Sequence, residues 1–357
     1  MLYLATGLAR RSVPTAVAVR PGSLAAQKAR EAGIEAFELP MRGECDLIAA
    51  RRIARIARAR GFNILHSHTA HAHALIVLAS RLFRARCRTV VHRRIEFPAG
   101  RFAFGLGRLK YLRGVDAYVA VSDRVKQTLV AAGVPGWRVF VVRSSVEVAR
   151  FTDEPPEPGL RSELGVPTDA FVVGSVGALV GHKDHANLLE ACRTVRQAVP
   201  QAWLVIVGEG PLRGALEEQA RKLGMDDRLV LTGFRWDVPR LMRAFDVFAL
   251  SSSEEGMCNT LLEAAAAGRP VVTTDAGGAR EAVVHEATGF VVPVRNAQAL
   301  ADGILRLYRE PEAARRMAQK GRERVAAEFD AATLAERTME VYGRVLCGEL
   351  RPGRPTG

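Results

Sequence analysis

The sequence predicts an α/β protein of two Rossmann-like domains facing across a cleft, and three observations predict it. From Thr15 onward, short β-branched runs alternate with amphipathic stretches, the pattern of repeated βα units on parallel sheets. The series stops near Glu147, where residues 152–159 set three prolines among acidic residues, and a second series then begins. A length of 357 residues suits two ordinary domains.

In the first domain, residues 1–147, residues 2–11 already read as a helix, and strands are expected at 15–19, 36–39, 63–66, 89–92, 117–121 and 139–142. Helical patterns at 24–32, 47–60, 72–83 and 124–132 lie between them, the last ended by Gly133 ahead of Pro135. The second domain, residues 148–330, repeats the scheme with strands at 171–176, 203–207, 229–231, 247–250, 271–274 and 290–293. Its helices begin near Asp184, Leu212, Val238, Thr260, Ala279 and Ala297. A last helix within 331–350 carries an apolar stripe from Leu334 to Leu346 that needs a packing partner.

Composition narrows the function classes. With 48% hydrophobic and 25% charged residues the chain is neither disordered nor a small disulfide scaffold. Apolar runs are cut by charge or glycine well short of the roughly 18 residues of a membrane span. The first eleven residues lack the layout of a signal peptide, so a cytoplasmic protein is expected. Cysteines at 45, 87, 192, 258 and 347 are odd in number and never in a C-x-x-C pair, which fits reduced thiols. The net charge of +13 is one-sided: residues 1–150 carry 26 Lys and Arg against 9 Asp and Glu. An arginine-rich genome explains this as well as an anionic partner does. No aromatic-rich or zinc-finger motif favours nucleic acid, and none is expected as a partner.

The densest chemistry lies at 251–278, SSSEEGMCNTLLEAAAAGRPVVTTDAGG. A strand runs into a loop bearing Glu255 and Gly256, and a helix begins near Asn259 and Thr260 with Glu263 in its first turn. Carboxylates at such a strand end accept paired hydrogen bonds from vicinal hydroxyls, glycine admits a close ligand, and a helix N-terminus meets an anion. By spacing alone, the same two glutamates also read as capping or surface residues.

This stretch resembles the retaining nucleotide-sugar glycosyltransferases of family 4, which have the GT-B fold. The shared elements are Ser252, Glu255, Gly256, Glu263, Ala264, Ala266, Gly268, Pro270, Val271, Val272, Asp275, Gly277 and Gly278. The resemblance implies that Glu263 holds the donor ribose and Glu255 the donor sugar, while the amides of Met257, Cys258, Asn259 and Thr260 orient sugar and phosphate. The run from Val176 and Gly177 to Lys183 is similar to the family's V-G-R-L-x-x-x-K, implying that Lys183 meets the diphosphate. Alone, such a lysine reads as a solvent-facing loop residue. The family arginine is Ala178 here, so His182, Arg280 or an N-domain arginine is the expected substitute. Gly208 and Gly210 match the family's G-x-G-P loop, not a dinucleotide fingerprint. Phe234 and Arg235 fall where the family reads the base through its backbone.

In the first domain, residues 63–68 resemble the family's D-V-L-H-x-H, which places His68 against the transferred sugar. The wider set His66, His68, His71 and His73 suggests a metal, but no acidic or cysteine partner stands near, and no metal is expected. Without D-x-D, Lys183 and helix termini do the neutralising, and no cofactor is implied beyond the nucleotide-sugar substrate. The start departs from the family: a strand and glycine-rich loop usually precede the first helix, so the N-terminal sheet is expected to lack that strand.

The pattern at 101–113, four cations among apolar residues, fits docking on the anionic inner face of the cytoplasmic membrane and equally a core helix with a basic face. The reading is a metal-independent, retaining hexosyltransferase of lipopolysaccharide, exopolysaccharide or other cell-surface glycan synthesis, with a lipid-linked or glycan acceptor. The alternatives are a GT-B-fold epimerase or phosphorylase, and a non-catalytic partner that binds a nucleotide-sugar or a membrane.

Overall fold

The computed structural model describes residues 1–94, 114–151 and 154–349. The basic, apolar pattern at 101–113 lies outside the described residues. The chain forms two compact units: Met1–Ser144 with the C-terminal residues from Ala331, and Ser145–Asp330.

The first unit runs α1 (Leu2–Ala9), β1 (Ala16–Val19), α2 (Leu24–Glu31), β2 (Glu35–Glu38), α3 (Leu47–Ala59), β3 (Ile64–Ser67), α4 (Ala70–Arg81), β4 (Arg88–Arg93), β5 (Ala117–Ala120), α5 (Asp123–Ala131) and β6 (Val139–Val141). The helices start where the sequence offers caps: the side chains of Ser23, Asp46, Thr69 and Ser122 accept from the amides of Ala26, Ala49, Ala72 and Val125. The second unit runs α6 (Leu160–Glu163), β7 (Phe171–Val176), α7 (His185–Ala198), β8 (Ala202–Val207), α8 (Arg213–Leu223), β9 (Leu229–Leu231), α9 (Val238–Met242), β10 (Val247–Leu250), α10 (Asn259–Ala266), β11 (Val271–Thr274), α11 (Ala279–Ala282), β12 (Phe290–Val292), α12 (Ala297–Arg309) and α13 (Pro311–Glu328). The last helix, α14 (Ala331–Leu346), returns to the first unit.

All strand pairs are parallel, but the first unit's strands form two sheets, β1-β2 and β3-β4-β5-β6. The apolar stripe of α14 finds its partner here. Leu334, Val341 and Val345 pack with Leu4 and Leu8 of α1 over Val90, Val119 and Val142. Gly7 lets the two helices touch, since a methyl group there would come within 2.8 Å of Ala335 Cβ.

The second unit has one six-stranded sheet of order β12-β11-β10-β7-β8-β9. Every residue of β7 is buried, which is why it reads as a continuous apolar run and not as an alternating one. Leu188, Leu189 and Val195 of α7 and Leu300 and Ile304 of α12 belong to the core on one face. Strand order reverses between β7 and β10. A ligand site is expected at the carboxyl ends of those two strands, where successive crossovers leave the sheet on opposite sides.

Candidate active site

The loops after β7 and β10 meet at this reversal. Lys183 ends a 3₁₀ turn at Gly181–Lys183, and its Nζ lies 2.6 Å from Glu255 Oε1 on the second loop. Ser252 Oγ donates to the same oxygen at 2.7 Å. The backbones are tied as well: Ser251 Oγ donates to the Lys183 carbonyl at 2.9 Å, and the Ser253 amide donates to the His182 carbonyl at 2.8 Å. Both charged side chains are mostly covered, 15% exposed for Lys183 and 11% for Glu255.

Electrostatics fix the charge state of this pair. Burial disfavours the Lys183 ammonium, yet neighbouring negative charge and the Glu255 hydrogen bond carry its pKa above the usual lysine range. Cys258 is nearby, but burial first and the Glu255 carboxylate next push its thiol up to about 11. At neutral pH the thiol is therefore uncharged, and the direct hydrogen-bond partner of Lys183 is Glu255. Cys258 Sγ also lies 3.0 Å from Thr260 Oγ1.

Cys258 caps α10 without a side-chain hydrogen bond, so the first amides of that helix have no side-chain partner at the cap. The helix α10 starts at Asn259, as the sequence suggests, and Glu263 is its fifth residue, just beyond the first turn. Burial raises its pKa, against the opposing charge of Arg150. Glycine is required where loops cross closely. A methyl at Gly277, with φ of +55°, would strike the Glu255 carbonyl, and one at Gly208 would strike the Gly177 carbonyl. Gly256 accepts at its carbonyl from the Gly278 amide at 2.7 Å.

The remaining second-unit positions form the outer part of the same face. The Gly208 amide donates to the Gly233 carbonyl at 3.0 Å, joining the G-x-G-P loop to the Phe234 segment. Phe234 and Trp236 are 62% and 58% exposed and meet edge to face at 4.6 Å between ring centroids. The Arg235 guanidinium is engaged by Asp237 at 2.7 Å and Glu163 at 2.8 Å, so it is not free to bind a ligand. Arg280 donates to Asp275 at 2.8 Å. Sequence spacing does not indicate the Arg235–Glu163 pairing or the Ser251–Lys183 bond, because each joins segments brought together by the fold.

His68 lies in the first unit, and there the structure corrects the grouping of histidines. His66, His68 and His92 have ring nitrogens within 4.8 Å of one another, whereas His71 and His73 sit on α4. His92 joins from β4, which pairs with β3 in parallel, a contact that local spacing does not show. The His66 and His68 rings stack at 4.4 Å, and Tyr342 Oη lies 2.6 Å from His66 Nδ1. Burial pushes His66 down to about 3 and lowers His68 and His92 well below the usual range. All three are neutral imidazoles at pH 7.

Two parallel-sheet α/β units, the second with a lysine–carboxylate pair at its strand-order reversal, match the GT-B fold. The family model for glycosyl transferases group 1 matches residues 157–324, and that for glycosyltransferase family 4 matches residues 1–150. The chain belongs to this family of glycosyltransferases. It is 31% identical over 252 residues to the lipopolysaccharide core biosynthesis glycosyltransferase LpsD of Rhizobium meliloti (strain 1021), covering 69% of this chain and 71% of that one. It is 25% identical to LpsE of the same organism and role, covering 95% and 93%. In fold it is similar to the crystal structure of Anabaena Alr3699/HepE in complex with UDP-glucose, with a TM-score of 0.83 and 23% identity over 96% of this chain and 95% of that one. No helix among the described residues is long and apolar enough to cross a membrane.

Proposed function

We propose that the chain transfers a hexose, with retention of anomeric configuration, from a nucleotide-sugar to an acceptor hydroxyl in the synthesis of a cell-surface glycan. The observation that carries this reading is the Lys183–Glu255 pair at the strand-order reversal. A departing nucleoside diphosphate gathers negative charge, and a fixed ammonium beside it stabilises that charge as it develops. The uncapped amides at the start of α10 supply further donors of the same sign, so the diphosphate needs no divalent cation. Glu255, tied down by Lys183 and Ser252, offers its second oxygen to sugar hydroxyls, and Glu263 offers its carboxylate to the ribose.

With the Arg235 side chain engaged, its backbone and the exposed Phe234 and Trp236 rings form the base-reading edge. The base is read as uracil, by the likeness to the UDP-glucose complex. The acceptor is lipid-linked or a glycan bearing phosphate. The basic first 150 residues, 26 cations against 9 anions, and the lipopolysaccharide role of the Rhizobium relatives support that class. The first unit's charge also suits attachment to the inner face of the cytoplasmic membrane.

The donor site is tested by calorimetric titration of UDP and UDP-glucose onto the wild type and Glu263→Gln. Loss of a charged hydrogen bond to the ribose should weaken both ligands about tenfold or more with melting temperature preserved. Equal affinities for wild type and variant would remove Glu263 from the donor site.

A further inference from the structure

Strand geometry gathers three histidines at one end of the first unit's larger sheet. His66 lies in β3, and His68, two residues on, shares its face. β4 runs parallel beside them, with Val90 opposite His66 and Val91 opposite Ser67. His92, two residues beyond Val90, therefore stands beside His68 on that same face. One ligating nitrogen from each ring lies within 4.8 Å of the other two. His92 is distant in the chain, so local spacing alone points to no metal there.

Each ring also keeps a nitrogen that nothing engages. His66 Nε2, His68 Nδ1 and His92 Nδ1 are shielded from solvent and have no hydrogen-bond partner among the described residues. Shielded polar atoms of this kind call for a partner. All three rings are uncharged at neutral pH, the form whose lone pair binds a metal ion. The other nitrogen of His66, Nδ1, lies 2.6 Å from Tyr342 Oη. An outer partner of this kind fixes which nitrogen of a metal-binding imidazole carries the proton. With Nδ1 donating to Oη, the lone pair of His66 sits on the unpartnered Nε2.

We propose that His66, His68 and His92 bind one late transition-metal ion of the Zn²⁺ class through their unpartnered nitrogens, with water in the fourth position. Three imidazoles without an oxygen ligand suit Zn²⁺, Co²⁺, Ni²⁺ or Cu²⁺ and not Mg²⁺ or Ca²⁺. Three protein nitrogens with a fourth position open to water are a standard zinc arrangement. A Zn–N bond of about 2.0–2.1 Å needs each ring to move inward by less than about 1 Å from the observed spacing. His66 and His68 are partly exposed, which leaves a side on which water completes the shell. Arg94 adds opposing charge nearby, so affinity is lower than for a site closed by a carboxylate. The site uses none of the residues that meet the diphosphate in the proposed transfer, so either reading can fail without the other.

The test titrates Zn²⁺ alone, and separately Co²⁺ alone, into the chelator-stripped full chain at pH 7.5. Calorimetry should show one Zn²⁺ per chain, and about a hundredfold excess over Kd should raise the melting temperature by about 5 °C. Mg²⁺ should do neither. Co²⁺ should give the visible absorption of a four-coordinate ion and paramagnetically shifted ring-proton signals from three histidines, a ligand count that needs no substitution. His92→Leu and His68→Gln should each weaken Zn²⁺ about a hundredfold or more, and Tyr342→Phe, which removes an outer partner only, about tenfold. His71 is exposed on α4, and His71→Gln should leave binding unchanged. Absence of saturable Zn²⁺ binding would overturn the proposal. An ion that survives both ligand substitutions, is lost in His71→Gln, or shows thiolate absorption with Co²⁺ would overturn it too, by placing the metal elsewhere.

Discussion

Replacing Lys183 by alanine should lower kcat for sugar transfer by about 10²–10³-fold, the usual cost of removing one donor aimed at developing charge. The effect belongs in kcat more than in KM because the ammonium meets a charge that grows as the glycosidic bond breaks. Stability responds too. Glu255 would keep its Ser252 hydrogen bond but lose its cation in a mostly covered site, at a cost of about 1–3 kcal/mol, less than for a fully buried pair because both side chains keep a solvent-facing edge. The double variant Lys183→Ala with Glu255→Gln separates the two effects. It should regain most of the melting temperature and none of the activity. Recovery of activity along with stability would mean that the pair only holds the loops together.

Acid should destabilise the first unit well before carboxylates titrate. His66, His68 and His92 are held neutral when folded, with His66 pushed down to about 3, while in the unfolded chain each titrates near 6.5. The unfolded state therefore binds protons that the folded state refuses. This contribution to stability is fully present above about pH 6.5 and is lost as pH falls toward the folded values. At about 1.4 kcal/mol per histidine for each pH unit, the three together remove up to about 4 kcal/mol by roughly pH 5.5. That is a large fraction of ordinary domain stability. Urea unfolding followed between pH 7.5 and 5 measures it, and His92→Leu should flatten the slope by about a third. A flat profile over that range would show that the rings are hydrated when folded.

The second unit and its site were largely legible in the sequence because their signals are local. β7, β8 and β10 are short apolar runs, and Glu255 and Glu263 fall within one 28-residue stretch. Features made by distant pairing were not. His92 reaches His66 and His68 only through strand register, and Arg235 is engaged by Glu163, 72 residues away. The short helix Leu160–Glu163 escaped notice because a single turn has no apolar period to read.

The central claim is transfer from a nucleotide-sugar with retention and without a metal. Its most direct measurement is proton NMR of the product formed from UDP-glucose in the presence of EDTA, using acceptors prepared from truncated surface glycan. The account predicts an axial, α-linked product at a rate unchanged by the chelator. A β-linked product, or turnover abolished by EDTA and restored by a divalent cation, would contradict it.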